Sequence, residues 1–544
     1  MPIRSGSFTV FFFLMAAACV QASAQEQGHV MASGERLGTV HFETSCSAMA
    51  APQFDRAVAL MHSFEFSEAI GAFNETLRTD PGCTMAHWGI ALSRWGNPFA
   101  AGIRPAAQSR QGLEAVEQAN RVGAKTDRER AYIAAVAQLY ADFERVDQVT
   151  RVRAYERSMA DVTSRYPQDR EAAIFYALSL TASAAPTDKT YANQLKAGEI
   201  LEGLFPEQPD HPGIAHYIIH SYDVPPLAAK ALDAARRYAK IAPSAPHALH
   251  MPSHTFTRVG SWQESIDTNI VSAAAARRAG STAEELHAMD YQMYEYLQTA
   301  QDQAGRGLAN GLSEVAGRFN PNAMLGAAPG SAGVFALAAI PARWALERRA
   351  WDEAAKLEPR ASAFPYTEAM TYFARALGAA RSGDLARARA AVEALQQIKD
   401  RLTQANEGYW AEQAEIQRRG AAAWLALAEK RPNEALTMMR AAAEMEDGTE
   451  KSAVTPGPIA PARELLGEML MELNRPAEAL KEFQATLKKE PERFRALYGA
   501  ARAASLSGDT AGERAYYTQL ANICEQGDRP GRPELEEARK AVRP

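Results

Sequence analysis

At 544 residues with a net charge of −6 and a pI near 6.1, the chain has no basic field to hold nucleic acid, so none is expected as a partner. Hydrophobic residues make up 47% of it, yet beyond the N-terminus no apolar run reaches the ~18 residues of a helical span, so no internal membrane span is expected. The length alone would suggest three or four globular domains, but repeat units that pack only on their neighbours escape that count.

At the N-terminus, Arg4 precedes the apolar run Phe8 to Val20, and Ala22-Ser23-Ala24 supplies small residues for a signal peptidase. Residues 1–24 read as a secretory signal peptide cleaved after Ala24, which places the protein in the periplasm or outside the cell. Cys19 follows three alanines but lacks the Leu that a lipoprotein site carries three residues earlier. Of the remaining cysteines, Cys46 and Cys83 are expected to pair in an oxidising compartment, tying the segment 25–49 to the end of the first helical unit. A loop of that size contributes on the order of 3–4 kcal/mol in the chain-entropy picture. Cys524 is left odd and is expected to be buried near the C-terminal end. No C-x-x-C occurs, so neither haem attachment nor a thiolate zinc site is supported.

From Pro52 onward the apolar period is helical. FDRAVALMHSFEFSEAIGAFNETLRTDPGC sets small or apolar residues at Ala57, Leu60, Ala69 and Phe73, with Pro81 closing the unit. A second unit opens at Thr84 and meets the irregular insertion NPFAAGIRP. Weaker units follow, and then two that begin at Pro212 and Pro246. A further helix is predicted at AEELHAMDYQMYEYLQ. The stretch 305–335, rich in Gly, Ala and Pro, is expected to loop out or to divide an array over 50–304 from one over 336–544. In the second half, Gly383-Asp384 and Pro432-Asn433 mark turns between helices. Val454 to Pro461 carries three prolines and must cross as an extended segment.

These units resemble the tetratricopeptide repeat superfamily over nearly the whole mature chain. In the first unit the five residues above fall at positions 8, 11, 20, 24 and 32 of a 34-residue period, as that resemblance requires. HMPSHTFTRVGSWQESI and SAVTPGPIAPARELLGEML are similar to stretches of exported bacterial repeat proteins of undetermined activity. The resemblance implies an all-α, right-handed α-solenoid of helix-turn-helix repeats. It also implies a protein-binding or assembly scaffold, with the first helix of each unit lining a concave groove, and it implies no reaction.

The strongest local signal is histidine spacing. His216 and His220 are four apart, as are His250 and His254, and the second pair repeats the first after 34 residues. With units starting at Pro212 and Pro246, the pairs occupy positions 5 and 9 of successive groove-facing helices. Residues four apart share a helix face, and packed helices lie ~8–10 Å apart. The four imidazoles are therefore candidate ligands for one zinc or copper ion. His247, Asp223 and Glu295 are candidates for the surrounding shell, with His211, His287 and Asp290 also near in sequence. Pro252, between His250 and His254, must kink the helix or delay its start.

Three readings of the pairs stay open: contacts to a bound peptide, a metal site, or catalysis. Neither pair has the H-E-x-x-H form, and there is no G-x-S-x-G turn or phosphate-binding glycine loop. His41, His62 and His87 read as structural, and Tyr291, Tyr294 and Tyr296 as core or groove wall. Arg258 or Arg277 could clamp a peptide carboxylate. The leading expectation is a non-enzymatic exported scaffold that binds a peptide or protein partner, with a transition metal at the groove histidines. The alternatives are a metal-dependent hydrolase or oxidoreductase, and a metal chaperone.

Overall fold

The computed structural model describes Met1 and residues 34–543, apart from 101, 324 and 325. The expected signal peptide, its cleavage point and Cys19 lie outside the described residues. Residues 36–544 form one compact unit, and its described residues are helices and connecting turns without a strand. The all-α helical-repeat solenoid expected above is what the chain builds.

The first repeat shows why these residues make helix pairs. Helices Ala51–His62 and Phe66–Thr79 bring Ala57, Ala69 and Phe73, all fully buried, to their shared face. The next helix, Thr84–Trp95, closes over Phe73 through Gly89, where a Cβ would overlap the Phe73 ring. Phe483 repeats this device between Gly467 and Gly499. Burying one such phenyl ring contributes about 1.5–3 kcal/mol, and the small residues beside it let the helices approach. The Cys46–Cys83 disulfide is formed and secures residues 36–49 against this first repeat. Phe42 from that segment packs edge-on against Phe54 and tilted against Trp88. Cys524 is buried with a free thiol.

The histidine-bearing units pair helix Pro212–Ser221 with Leu232–Ile241, and Pro246–Val259 with Trp262–Ala279. Helix Thr282–Gln298 follows. In the second half, helices flank Gly383-Asp384 as predicted, whereas Pro432 and Asn433 open helix Pro432–Asp447 and the turn falls at 429–431, a proline being well placed in a first helical turn; residues 448–461 carry no helix.

The glycine-rich stretch departs from expectation. Asp302–Arg318 is a continuous helix and another begins at Gly330, so among the described residues of the segment 305–335 only 319–323 and 326–329 are loop. The reason is which face the glycines occupy. Leu312 and Val315 are buried, while Gly307, Gly311 and Gly317 have open space around them. Burial of one face outweighs about 1 kcal/mol of helix propensity lost at each glycine. Nor does this stretch separate two arrays, because later helices fold back onto Thr282–Gln298. The Phe494 amide donates to Gln298 Oε1 at 2.9 Å, Trp262 Nε1 donates to the Glu492 carbonyl at 2.8 Å, and Arg343 Nε donates to Asp290 Oδ1 at 2.9 Å.

The extended crossing at 449–459 is pinned from two sides. Lys189 Nζ and the Tyr191 hydroxyl donate to Glu450 Oε1 at 2.7 and 2.8 Å. Arg343 reaches Thr455 Oγ1 at 2.7 Å and the Gly457 and Pro458 carbonyls at 3.0 Å. This strap meets the histidine helices, where Lys451 Nζ donates to Asp223 Oδ2 and the Tyr291 hydroxyl donates to the Ala453 carbonyl, each at 3.4 Å. The four paired histidines, expected to line an open groove, are instead buried: His216 and His250 have no exposed surface, and His220 keeps 8%.

Candidate metal centre

Pro212 opens the helix that carries His216 and His220. The second pair sits on an interrupted helix. Pro246–His250 ends at Met251 and Pro252 starts a new segment that runs to Val259, closed by Gly260 at a φ of 75°. Pro252 thus falls at a helix start, where its missing N–H costs nothing. The break does not separate the imidazoles: His250 Nε2 and His254 Nε2 stand 3.2 Å apart.

The described residues contain three buried clusters whose ligand-type atoms lie within 4.8 Å of one another: His216, His220 and His247; His250, His254 and His287; and His62, Glu171 and His211. The four histidines singled out by spacing therefore divide between two triads. Each triad is completed by a residue outside the paired pattern, His247 for one and His287 for the other.

Hydrogen bonds fix where the protons lie, and so which nitrogens are free to bind. Asn269 donates through Nδ2 to the Ser265 carbonyl at 3.0 Å, so its Oδ1 accepts from His250 Nδ1 at 2.7 Å. Asp223 accepts from His254 Nδ1 at 3.0 Å. Its carboxyl is buried, which would raise its pKa, but Lys451, Arg258 and His254 hold it well below the usual range, so it is ionised and can only accept. Both Nδ1 protons are thus committed outward, and two Nε2 lone pairs face each other. In the other triad, His216 Nδ1 donates to the His62 carbonyl at 2.6 Å, and its Nε2 is buried without a partner. His220 Nε2 and both ring nitrogens of His247 are also buried and unpartnered.

Burial keeps five of the six rings neutral, as ligands must be. It pushes the pKa of His216, His220 and His250 well below the ordinary 6.5, lowers His254, and takes His287 to about 3. Glu295 sits one step further out. Thr257, Ser265 and Asn269 donate to it, and it reaches His250 only through Asn269. Burial pushes its carboxyl well above the usual range. Arg258 is no peptide clamp, since it is buried and donates to Asp223 at 2.8 and 2.9 Å. Arg277 is exposed and paired with Glu285 and Glu314.

The third cluster has the opposite character. His211 Nδ1 accepts from the Ile214 amide at 3.4 Å, so its Nε2 donates to Glu171 Oε1 at 2.9 Å. His62 Nε2 donates to Glu171 Oε2 at 3.0 Å, and its Nδ1 accepts from the Tyr217 hydroxyl at 2.9 Å. Every ring nitrogen has a protein partner, so no lone pair is left for an ion, and His62 is structural as predicted. His41 is exposed beside Asp55 at 3.4 Å, and His87 is half-buried.

One small pocket reaches both triads. His220, His247, His254 and His287 line it together with Phe99, Tyr366, Trp410 and the strap residues Ala453 and Val454. His287 falls one residue before position 288, where a strict repeat of His254 would stand and Ala288 is found. That near miss in register is the signal that could have placed it in the site.

No protein-family model matches the chain, and no curated protein matches it. Solved structures similar to it include the human IFIT1 dimer with m7Gppp-AAAA, at 9% identity over 88% of this chain and 96% of that one, with a TM-score of 0.37. The APC/C hetero-tetramer Cut9-Hcn1 is similar at 10% identity over 91% and 90%, with a TM-score of 0.35. Likeness at this level carries no argument about function, and the fold assignment rests on the helix pairs themselves.

Proposed function

We propose that this helical-repeat protein is an exported metalloprotein whose buried imidazoles hold a late transition ion, zinc or copper. The observation that carries the reading is the pair His250 and His254. With both Nδ1 protons committed, two lone pairs oppose each other at 3.2 Å, a repulsion that a cation between them would relieve more fully than the Tyr291 hydroxyl, which stands 3.4 Å from His254 Nε2. Two nitrogens bound tetrahedrally to zinc at 2.0–2.1 Å stand about 3.3 Å apart, so the spacing is that of a coordination edge. An outward Nδ1–H bond to a carboxylate or amide is also how metal-bound imidazoles are normally oriented. The disulfide supports the oxidising compartment that the reading assumes.

The test is metal content of the untagged protein purified from a periplasm without chelators, followed by separate uptake of zinc and copper. Wild type is expected to retain or take up one of the two, and a His250→Ala, His254→Ala variant to lose it with its circular dichroism unchanged. No uptake of either metal by folded wild type refutes the proposal.

A second reading, a metal-dependent hydrolase or oxidoreductase acting on a small substrate, is favoured by the cavity that meets four of the histidines.

A further inference from the structure

We infer that the two triads form one two-ion centre, with His216, His220 and His247 holding a second ion beside the one at His250, His254 and His287. The inference rests on the metal reading above, but a different set of observations carries it.

The first observation is the accumulation of unpartnered nitrogens. His216 Nε2, His220 Nε2, His247 Nδ1 and His247 Nε2 are four buried imidazole nitrogens of one triad without a hydrogen-bond partner. A buried polar atom left unsatisfied is costly, and interiors rarely carry more than a few such atoms per hundred residues. The nearest carboxylate, Glu284 Oε1, stands 3.6 Å from His247 Nδ1, too far for a hydrogen bond. That oxygen already accepts from the Ala327 and Ala328 amides at 2.7 and 2.6 Å. His216 meets the same condition as the metal-oriented rings of the other triad, its Nδ1–H being given to a backbone carbonyl. The His62, Glu171 and His211 cluster shows that this fold can satisfy a buried histidine group from within; here it does not.

The second observation is proximity. His220 and His254 have ring centroids 5.8 Å apart, and His247 and His250 6.1 Å. Rings within the second triad span 4.4 to 6.3 Å. The triads therefore adjoin in one interior, as the proposed pairing of ions in a two-metal site requires. The third observation is access, because a single cavity is lined by two rings of each triad. An oxygen donor entering it, water or hydroxide, would touch both ions. With no carboxylate among the six ligands, such an anionic bridge would offset charge that they leave in place.

The test uses the full-length protein, stripped with chelator and reloaded. Zinc bound per chain is measured for wild type, a His216→Ala, His220→Ala pair, a His250→Ala, His254→Ala pair and the quadruple variant. Each is also made with asparagine in place of alanine to retain folding, verified by circular dichroism. Two ions in wild type, one in either pair and none in the quadruple variant are expected. One ion in wild type, lost only with His250 and His254, would overturn the second site and leave the metal reading standing. One ion lost with either pair would mean a single ion held across the triads, and would overturn the inference as well. No uptake would overturn both readings. Copper(II) loading then tests the pairing. Two coupled ions should show less than half of the paramagnetic resonance intensity expected from bound copper, and full intensity would overturn the shared centre.

Discussion

Replacing Glu171 with alanine separates the structural histidines from those proposed as ligands. Glu171 accepts from His62 Nε2 and His211 Nε2 at 3.0 and 2.9 Å, all three residues being buried. Alanine leaves two buried N–H groups without acceptors, at about 1–3 kcal/mol each, so a loss of about 2–6 kcal/mol is expected, a large part of a typical 5–15 kcal/mol. Glu171→Gln should cost less. Its amide oxygen can serve His211, whose Nδ1 is tied to the Ile214 amide, while His62 moves its proton to Nδ1 and turns Tyr217 into the acceptor. Burial opposes ionisation of Glu171, but His211 and His62 hold its carboxyl below the ordinary 4.5. The unfolded chain therefore takes up the proton first as pH falls. The contribution of this carboxylate is complete above pH 4.5 and shrinks below it, so the gap between wild type and Glu171→Gln should narrow from pH 5 toward pH 3. Urea unfolding of the full-length protein at each pH reads the stability, and metal content is measured alongside. Unchanged stability with lost metal would refute the division of the three clusters drawn here.

Replacing Cys46 and Cys83 with serine opens a loop of 37 residues' separation and should lower stability by about 4 kcal/mol; an unchanged urea midpoint would refute this. At Gly213 a Cβ would overlap His62 Nδ1, so Gly213→Ala should cost about 1–3 kcal/mol and, by differential scanning calorimetry, should not add to Glu171→Ala. Burial raises the Glu446 carboxyl to about 7 against the pull of Lys489. The unfolded chain therefore ionises first as pH rises, and stability from this group falls between pH 4.5 and 7. Glu446→Gln, which keeps an acceptor for the Ala462 amide at 2.9 Å, should flatten that slope and add about 1–3 kcal/mol at pH 8. An unaltered pH profile would count against it.

Much of the scaffold was legible because each helix pair carries its own local reason, such as Phe73 against Gly89. The glycines of 305–318 misled because propensity is read residue by residue, whereas burial is decided by the face that Leu312 and Val315 share. Four of the six clustered imidazoles were legible for the same reason: His216, His220, His250 and His254 repeat in register. His247 and His287 stand off that register, and only the packing of three helices brings them in. Nor could spacing have found Glu171, 109 residues from His62, or shown that Asn269 sets the proton on His250.

The strap at 449–459 bears on timing. Every imidazole of the centre precedes it in the chain by more than 150 residues, so a polypeptide emerging from its N-terminus presents the whole ligand set before its cover arrives. An ion can then enter a nascent, half-built pouch that later closes. On the metal reading proposed above, once Glu450 has met Lys189 and Tyr191, and Arg343 has gripped Thr455 and Gly457, an ion held there would leave only as often as that latch lets go, whatever the strength of any one bond to nitrogen.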